Sequence, residues 1–170
     1  MLLSDDQIAI ITQATDSWID KASALYQLTL PKIDIRFDLR GQTSGMFCRY
    51  KKQNFIRYNQ AIFVRYFDEN IEQTVPHEVA HYVVFHMEGS AAKPHGKEWR
   101  RVMADFGLPA EVTSKLDVSD LKTRRLIRHR YSCGCSDHEL TSIRHNRIQA
   151  GKRQYGCPKC KQILVAQMPP

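Results

Sequence analysis

The 170-residue sequence lacks several features that would place it in other classes of protein. No apolar run approaches the roughly 20 residues that a membrane-spanning helix needs, and there is no internal repeat or low-complexity tract. The first residues carry neither a basic region nor an apolar core, so we expect no secretory signal and a cytoplasmic location. A chain of this length can form one full hydrophobic core and one small appended unit.

Acidic residues are scarce in the last third of the chain. Residues 1–120 contain 14 Lys and Arg against 16 Asp and Glu, whereas residues 121–170 contain 11 against 2. We therefore predict two domains, a near-neutral one over residues 1–120 and a basic one over residues 121–170. The cations that lead into the second domain or lie between its cysteines are Lys122, Arg124, Arg125, Arg128, Arg130, Arg144, Arg147, Lys152 and Arg153.

The most informative motif is the pentad His77-Glu78-Val79-Ala80-His81. On an α-helix, residues four apart lie about 40° apart around the axis and one turn along it, so one metal ion can bind both imidazoles. Glu78 lies beside them, where its carboxylate can take a proton from a water molecule made acidic by the metal. The pentad therefore predicts a zinc hydrolase, and a peptidase in particular. Apolar residues at helical spacing place it on an amphipathic helix: Val75, Val79, Val83 and Val84.

Pro76 limits how this helix can begin. Proline has no backbone N–H and clashes with the preceding turn of a helix interior. The helix either begins at Pro76, or it begins near Asp68 and is kinked at the proline.

Two histidines leave a catalytic zinc site one protein ligand short. The metzincin extension of the pentad is absent, because it needs Gly at position 84 and His at position 87, where this chain has Val and Met. His86 falls about 180° around the helix from His77 and points away from it.

We prefer His95 as the third ligand. It follows a flexible stretch over residues 89–92, which can fold back, and it precedes a second helical pattern that ends at Gly107. Glu98 is the rival ligand, because some zinc peptidases use a downstream glutamate. The apolar residues of the second helical pattern are Trp99, Val102, Met103 and Phe106. A donor for a developing oxyanion is also needed, and Tyr82, Arg100 and Arg101 are considered without being assigned.

Four cysteines form two close pairs, Cys133 with Cys135 and Cys157 with Cys160. A Cys-x-x-Cys pair around Pro and Lys is typical of a tight turn that directs two thiolates at one zinc ion. The single-residue spacing of the first pair is less common. The two pairs together predict a structural zinc site.

Two alternatives to a four-cysteine site stay open. His138 or His145 could replace one of the first two cysteines. A disulfide is the other alternative, but a cytosolic chain keeps its thiols reduced, which favours metal binding. Cys48 is left over and is interpreted as a small, half-buried hydrophobic residue.

The N-terminal part predicts one helix and a small antiparallel sheet. Ser4 and Gln7 form a capping-box pattern before a helical stripe. Alternation predicts a strand over Ile33–Leu39, and two more are predicted over Met46–Tyr50 and Phe55–Asn59. Such a sheet could take up an extended peptide at an exposed edge. The residues of the helical stripe are Ile8, Ile11, Trp18, Ile19, Ala22 and Leu25.

The basic second domain predicts contact with a polyanion. Its cations, together with Tyr131 and Tyr155, suit the phosphate backbone of nucleic acid. An acidic protein is the alternative partner. Because no base-reading element is evident, we expect DNA binding without sequence specificity.

Taken together, the motifs resemble the SprT-like family, to which the eukaryotic DNA-dependent protease Spartan belongs. The resemblance implies a minimal zincin fold followed by a zinc ribbon. Within that fold it implies that His77, His81 and His95 bind zinc and that Glu78 is the general base. For Spartan-type relatives it also implies cleavage of proteins crosslinked to DNA, a DNA-repair activity. The segments that carry it are residues 77–81, 94–99, 56–59 and 144–147 and the two cysteine pairs.

We therefore expect an α+β metallopeptidase with one catalytic and one structural Zn²⁺. Its expected partners are a protein substrate and DNA, including single-stranded DNA, and we expect no membrane association. The competing class is a non-catalytic, zinc-containing nucleic-acid-binding or regulatory protein. Glu78 discriminates between the two, because a purely structural site has no use for a carboxylate beside an open metal position.

Overall fold

The computed structural model describes residues 2–51, 53–121 and 127–167. The chain divides into two compact units, Met1–Thr123 and Arg124–Pro170, whereas the charge pattern predicted a boundary after residue 120. Helices and small sheets occur in both units, which confirms the α+β class. Three of the predicted basic residues, Lys122, Arg124 and Arg125, lie outside the described residues. Within the described ranges, no helix is both long and apolar enough to cross a lipid bilayer.

The first unit consists of a long N-terminal helix, a three-stranded sheet and a run of helices that carries the pentad. Its elements are α1 (Asp5–Tyr26), β1 (Asp34–Arg36), β2 (Gly45–Tyr50), β3 (Gln53–Tyr58), α2 (Gln60–Arg65), α3 (Phe67–Glu69), a π-helical turn (Asn70–Thr74), α4 (Val75–Glu88), a 3₁₀ turn (Gly89–Ala91) and α5 (Lys97–Asp105).

Helix α1 begins and packs largely as its sequence predicts. The Ser4 hydroxyl accepts the backbone N–H of Gln7, and the Gln7 side chain accepts the backbone N–H of Ser4, so the capping box is confirmed. The prediction for Leu25 was wrong, because 48% of it is exposed. The buried face continues instead to Tyr26, which lies about 100° further around the helix. The fully buried residues of α1 are Ile11, Thr15, Ile19 and Ala22.

The sheet is mixed, so the prediction of an antiparallel sheet was wrong for β1. Strands β2 and β3 form an antiparallel hairpin, but β1 pairs in parallel with β3, in the order β1-β3-β2. The chain passes from β1 to the far edge of the sheet and returns through the hairpin to its centre. Alternation in a sequence indicates which face of a strand is buried. It does not indicate which strand is the pairing partner, so the pattern could not predict this crossover.

The first strand is also shorter than predicted. Only Asp34–Arg36 pair with β3, although Leu39 is buried and its N–H donates to the carbonyl of Tyr58 at 3.3 Å. Between them, the Phe37 carbonyl accepts the side-chain amide of Gln60. The apolar residues up to Leu39 therefore reach the core through an irregular segment.

The helical run that leads into the pentad accommodates Pro76 with a wide turn. Residues Asn70–Thr74 are π-helical, and the N–H of Val75 donates to the carbonyl of Asn70, five residues earlier. This π-helical turn precedes the proline, which lacks the N–H of an α-helical bond and clashes with the carbonyl four residues earlier. Pro76 then occupies the first turn of α4, where proline is tolerated.

The core of the first unit lies between α1, the sheet, α4 and α5. Helix α4 buries the predicted valines, and α5 buries Trp99, Val102 and Met103, as its pattern predicted. From the sheet, Ile56 and Tyr58 complete this core. The Tyr58 hydroxyl lies 3.1 Å from the hydroxyl of Thr15, so the polar groups buried here satisfy each other.

The second unit is a small three-stranded antiparallel sheet with one helix. Its strand order is β5-β4-β6, and among the residues described in this unit the buried cluster consists of Tyr131, Leu140, Leu164 and two cysteines. A core this small does not stabilise a fold without a metal ion or a crosslink. Its elements are β4 (Arg128–Ser132), β5 (Asp137–Thr141), α6 (Ser142–Gln149) and β6 (Val165–Ala166).

Candidate functional site

The three histidines predicted as metal ligands converge on one point. The Nε2 atom of His77 lies 3.2 Å from Nε2 of His81 and 3.0 Å from Nε2 of His95. The remaining distance, between His81 Nε2 and His95 Nε2, is 3.0 Å. In a tetrahedral zinc site with bonds of 2.0–2.1 Å, nitrogen donors lie about 3.3 Å apart, so the three imidazoles fit a zinc ion.

His95 reaches this position through an unusual backbone conformation. Its φ is 55°, in the left-handed region that residues other than glycine seldom occupy. The carbonyl of Lys93 accepts the N–H of Gly96 at 3.0 Å, and Pro94 precedes His95 inside this turn. Proline followed by a residue with positive φ is the pattern of a type II turn, which directs the imidazole back towards α4.

Trp99 forms the floor under the three histidines, a role that its apolar spacing alone did not predict. It is fully buried, and its ring centroid lies 4.7 Å from those of His77 and His95 and 5.5 Å from that of His81. Its indole N–H donates to the backbone carbonyl of His77 at 3.3 Å. One side chain of α5 therefore holds all three imidazoles.

The electrostatics of the cluster favour neutral imidazoles. Burial, assisted by the charge of His95, lowers the pKa of His77 to about 4, and burial with the charges of its two partners lowers that of His81 to about 3. Burial followed by the charge of Arg100 also lowers the pKa of His95. A neutral imidazole is the form that binds a metal ion.

Glu78 lies against the edge of the sheet. Only 6% of it is exposed, and its Oε2 accepts the backbone N–H of Phe47 in β2 at 2.7 Å. Burial raises the pKa of Glu78 to about 8, although the Phe47 hydrogen bond acts in the opposite direction. A carboxyl group with a pKa near neutrality suits both the acceptance and the return of a proton.

A cleft of about 920 Å³ contains the histidines and Glu78. One wall is strand β2, and the other includes residues 108–118, a segment without helix or strand for which the sequence made no prediction. The Tyr66 hydroxyl donates to the Asp117 carbonyl of this segment, and two residues after its end Asp120 accepts two hydrogen bonds from Arg65 of α2. Strand β2, at the edge of the sheet, thus lines the cleft together with this segment.

The other candidates of the first unit lie outside the histidine cluster. Within the described residues this group holds His77, His81 and His95 without Glu98, and His86 is exposed. The Tyr82 hydroxyl donates to the carbonyl of Pro31 at 2.7 Å and is thus engaged in the core.

The four cysteines also come together, although 21 residues separate Cys135 from Cys157. The sulfur atoms of all four lie within 4.8 Å of one another, with Cys133 and Cys135 at 3.2 Å and Cys135 and Cys157 at 3.7 Å. Four thiolates around zinc at 2.3 Å lie about 3.8 Å apart, so this set fits the ion as well. All four are free thiols.

The two histidines considered as substitutes take different places. His138 Nε2 lies 3.3 Å from the sulfur of Cys133, beside the four-sulfur group. His145 is occupied elsewhere, because its Nδ1 lies 2.9 Å from the Tyr131 hydroxyl and its ring stacks on that of His129.

Comparison with known proteins agrees with this arrangement. The sequence profile of the SprT-like family matches residues 13–118. This chain belongs to the SprT-like family. The match, which confirms the resemblance seen in the motifs, includes Glu78 and the three histidines and ends before the four clustered cysteines.

Individual SprT relatives cover most of the chain. Protein SprT of Pasteurella multocida (strain Pm70) is 39% identical over 147 residues, 86% of each chain. Protein SprT of Glaesserella parasuis serovar 5 (strain SH0165) is 36% identical over 151 residues, 88% of this chain and 93% of the relative. Protein SprT of Pseudomonas paraeruginosa (strain DSM 24068 / PA7) is 34% identical over 149 residues, which are 85% of this chain and 87% of the relative. The search of solved structures found no significant match.

Proposed function

We propose that this SprT-like protein is a zinc-dependent peptidase of the zincin type with Glu78 as its general base. The observation that carries the proposal is the buried side chain of Glu78 in the same cleft as three convergent imidazoles. A site that served structure alone would be closed by a fourth protein ligand and would have no use for Glu78.

The roles of the residues follow from their positions. His77, His81 and His95 would hold the zinc ion, which would supply an acidified water molecule and polarise a carbonyl group. Glu78 would accept a proton from the attacking water and pass it to the leaving amine. The Phe47 N–H holds Oε2 of Glu78, which leaves Oε1 for the proton transfer.

An extended segment of the substrate would lie along β2. Phe47 pairs with Ile56 in the hairpin, yet its N–H points to Glu78 and away from β3. By the alternation of an antiparallel ladder, the backbone groups of Gly45 and Arg49 also point away from β3. These groups are available for pairing with a peptide at the edge of the cleft.

The second unit would bring the peptidase to DNA-associated or DNA-crosslinked proteins. Its cations at the described positions are exposed, and none of them forms an ion pair with a carboxylate there. Arg144 and Arg153 flank the ring of Tyr155, with guanidinium carbons 5.4 and 5.7 Å from its centroid. Arginines on an aromatic ring suit phosphates and stacked bases without sequence preference. A reducing compartment such as the cytoplasm would keep the four thiols available for zinc.

The catalytic proposal is tested with wild-type protein and Glu78→Ala on fluorescently labelled β-casein, an unfolded protein. We expect the variant to lose activity at least about 100-fold while it keeps its zinc. Equal product from both proteins would show that cleavage does not need Glu78, and no product from either would favour the non-catalytic class.

The DNA proposal is tested by binding of labelled single-stranded DNA at several salt concentrations. Replacing Arg144 and Arg153 by Ala should weaken binding. The slope of log binding constant against log salt concentration should become shallower by about 0.7 for each of these arginines that contacts a phosphate. Arg40→Ala, at an exposed position of the first unit, is the matched control and should leave both unchanged. Equal losses in control and test variants would overturn the assignment.

A further inference from the structure

Gly45, the first residue of β2, lies unusually close to the side chain of Glu78. A Cβ atom at Gly45 would stand 2.7 Å from Cγ of Glu78, 3.0 Å from its Oε1 and 2.7 Å from Cγ2 of Thr74. Non-bonded carbon atoms are in contact at about 3.5–4.0 Å, so no side chain fits here without displacing a neighbour.

Backbone conformation does not explain why this residue is glycine. Gly45 is absent from the residues with positive φ and lies in a regular antiparallel pair with Tyr58, a conformation open to any residue. Glycine within a strand often marks the close approach of another group, and here that group is Glu78.

Of the two neighbours, Glu78 is the one that would move. The Thr74 hydroxyl donates to Oδ1 of Asn70 at 2.8 Å, and Asn70 is fully buried in the π-helical turn. Thr74 is therefore held in place. Glu78 has a flexible side chain, and within the described part of the chain its carboxyl group has one hydrogen bond, from the Phe47 N–H, two residues along the same strand as Gly45.

We propose that Gly45 is a positioning residue for Glu78: its missing side chain lets the carboxylate lie against β2, where the Phe47 N–H fixes it. The inference rests on the proposed role of Glu78 as general base. Gly45 acts by leaving space and the Phe47 N–H by supplying a bond, so one short strand segment sets both ends of the glutamate side chain.

The contact is tested first without any activity, by thermal unfolding of Gly45→Ala, Glu78→Ala and the double variant. Overpacking should lower the melting temperature of Gly45→Ala by about 3–10 °C. Glu78→Ala removes Cγ and the carboxylate and leaves the Thr74 contact, so in that background Gly45→Ala should lower the melting temperature by less than it does in the wild type. Additive shifts would overturn the proposal, because additivity means that the two residues do not interact.

The positioning role is tested by kinetics on labelled β-casein together with zinc content. Gly45→Ala should lower kcat about 100-fold, as expected for a base displaced by about 1 Å, with KM changed less than about twofold and zinc retained. In the Glu78→Ala background, Gly45→Ala should cause no further loss of kcat. The matched control is Cys48→Ala, which changes a side chain on the opposite face of the same strand and should leave kcat unchanged.

The outcomes separate this inference from the peptidase proposal. Wild-type kcat in Gly45→Ala, a further loss without Glu78, or loss of zinc would each overturn the positioning role while the peptidase stands. If wild-type protein does not cleave β-casein, the peptidase proposal fails with that substrate. The unfolding temperatures then still decide whether Gly45 sets the position of Glu78.

Discussion

Replacement of Trp99 should damage the histidine site, although Trp99 lies outside the group of three metal-binding candidates. Trp99 is the only residue described here whose ring lies within 5.5 Å, centroid to centroid, of all three histidine rings, and it is fully buried. Trp99→Ala removes this floor and the hydrogen bond to the His77 carbonyl. Trp99→Phe keeps an aromatic ring and removes the hydrogen bond.

The expected magnitudes follow from burial and contact. Truncation of a fully buried tryptophan to alanine costs about 3–5 kcal/mol of unfolding free energy. Trp99→Phe loses one neutral hydrogen bond, worth about 1 kcal/mol, and part of the ring. Loss of a group that orients metal ligands lowers metal affinity about 10–100-fold, and we expect this range for Trp99→Ala.

Two measurements check the prediction. Urea unfolding followed by far-ultraviolet circular dichroism gives the stability, and competition with a chromophoric chelator gives the zinc affinity of the histidine site. The matched control is Trp18→Ala, because Trp18 packs on Phe106 at 4.7 Å, outside the histidine cluster. It should lower stability and leave zinc affinity unchanged. Unchanged zinc affinity in Trp99→Ala, or an equal loss in Trp18→Ala, would refute the reasoning.

Three further predictions concern separate parts of the molecule. Ser4→Ala should lower the unfolding free energy by about 1 kcal/mol, measured in urea, because α1 loses its N-cap; no change would mean that the cap is redundant. Thr15→Val should cost about 1–3 kcal/mol by leaving the buried Tyr58 hydroxyl unpaired, and Tyr58→Phe in addition should recover part of it; two additive losses would contradict this. Metal analysis should find two zinc ions per chain in wild type and one in Cys157→Ser/Cys160→Ser; two in the variant would disprove the cysteine site.

Local patterns predicted the elements well where a few neighbouring residues decide them. The capping box of α1, the helix around the pentad, the apolar face of α5 and the β2–β3 hairpin all follow from periodicity or side-chain bonds within about four residues. The predictions failed for the parallel pairing of β1 and for Leu25. Both depend on which element packs beside them, and the local spacing of residues does not predict that.

The candidate site divides in the same way. The sequence predicts which side chains can bind a metal ion, because two histidines four residues apart and paired cysteines are typical patterns of metal ligands. Pro94 is typical of the type II turn that directs His95. Nothing in the sequence predicts, however, that a histidine adopts a positive φ in this turn. The contacts of Trp99 with three imidazoles are not predicted either.

The amino-acid sequence by itself determined which groups can bind a metal, the helix that carries two of them, and the concentration of positive charge in residues 121–170. Only tertiary structure decided that His95 comes together with His77 and His81, that Cys135 and Cys157, 22 residues apart, lie side by side, and that Gly45 leaves room for Glu78. The physical reason is the distance along the chain over which each effect acts. Propensity and periodicity depend on residues within one or two helical turns. Distances between groups far apart in sequence are decided when buried faces pack against one another.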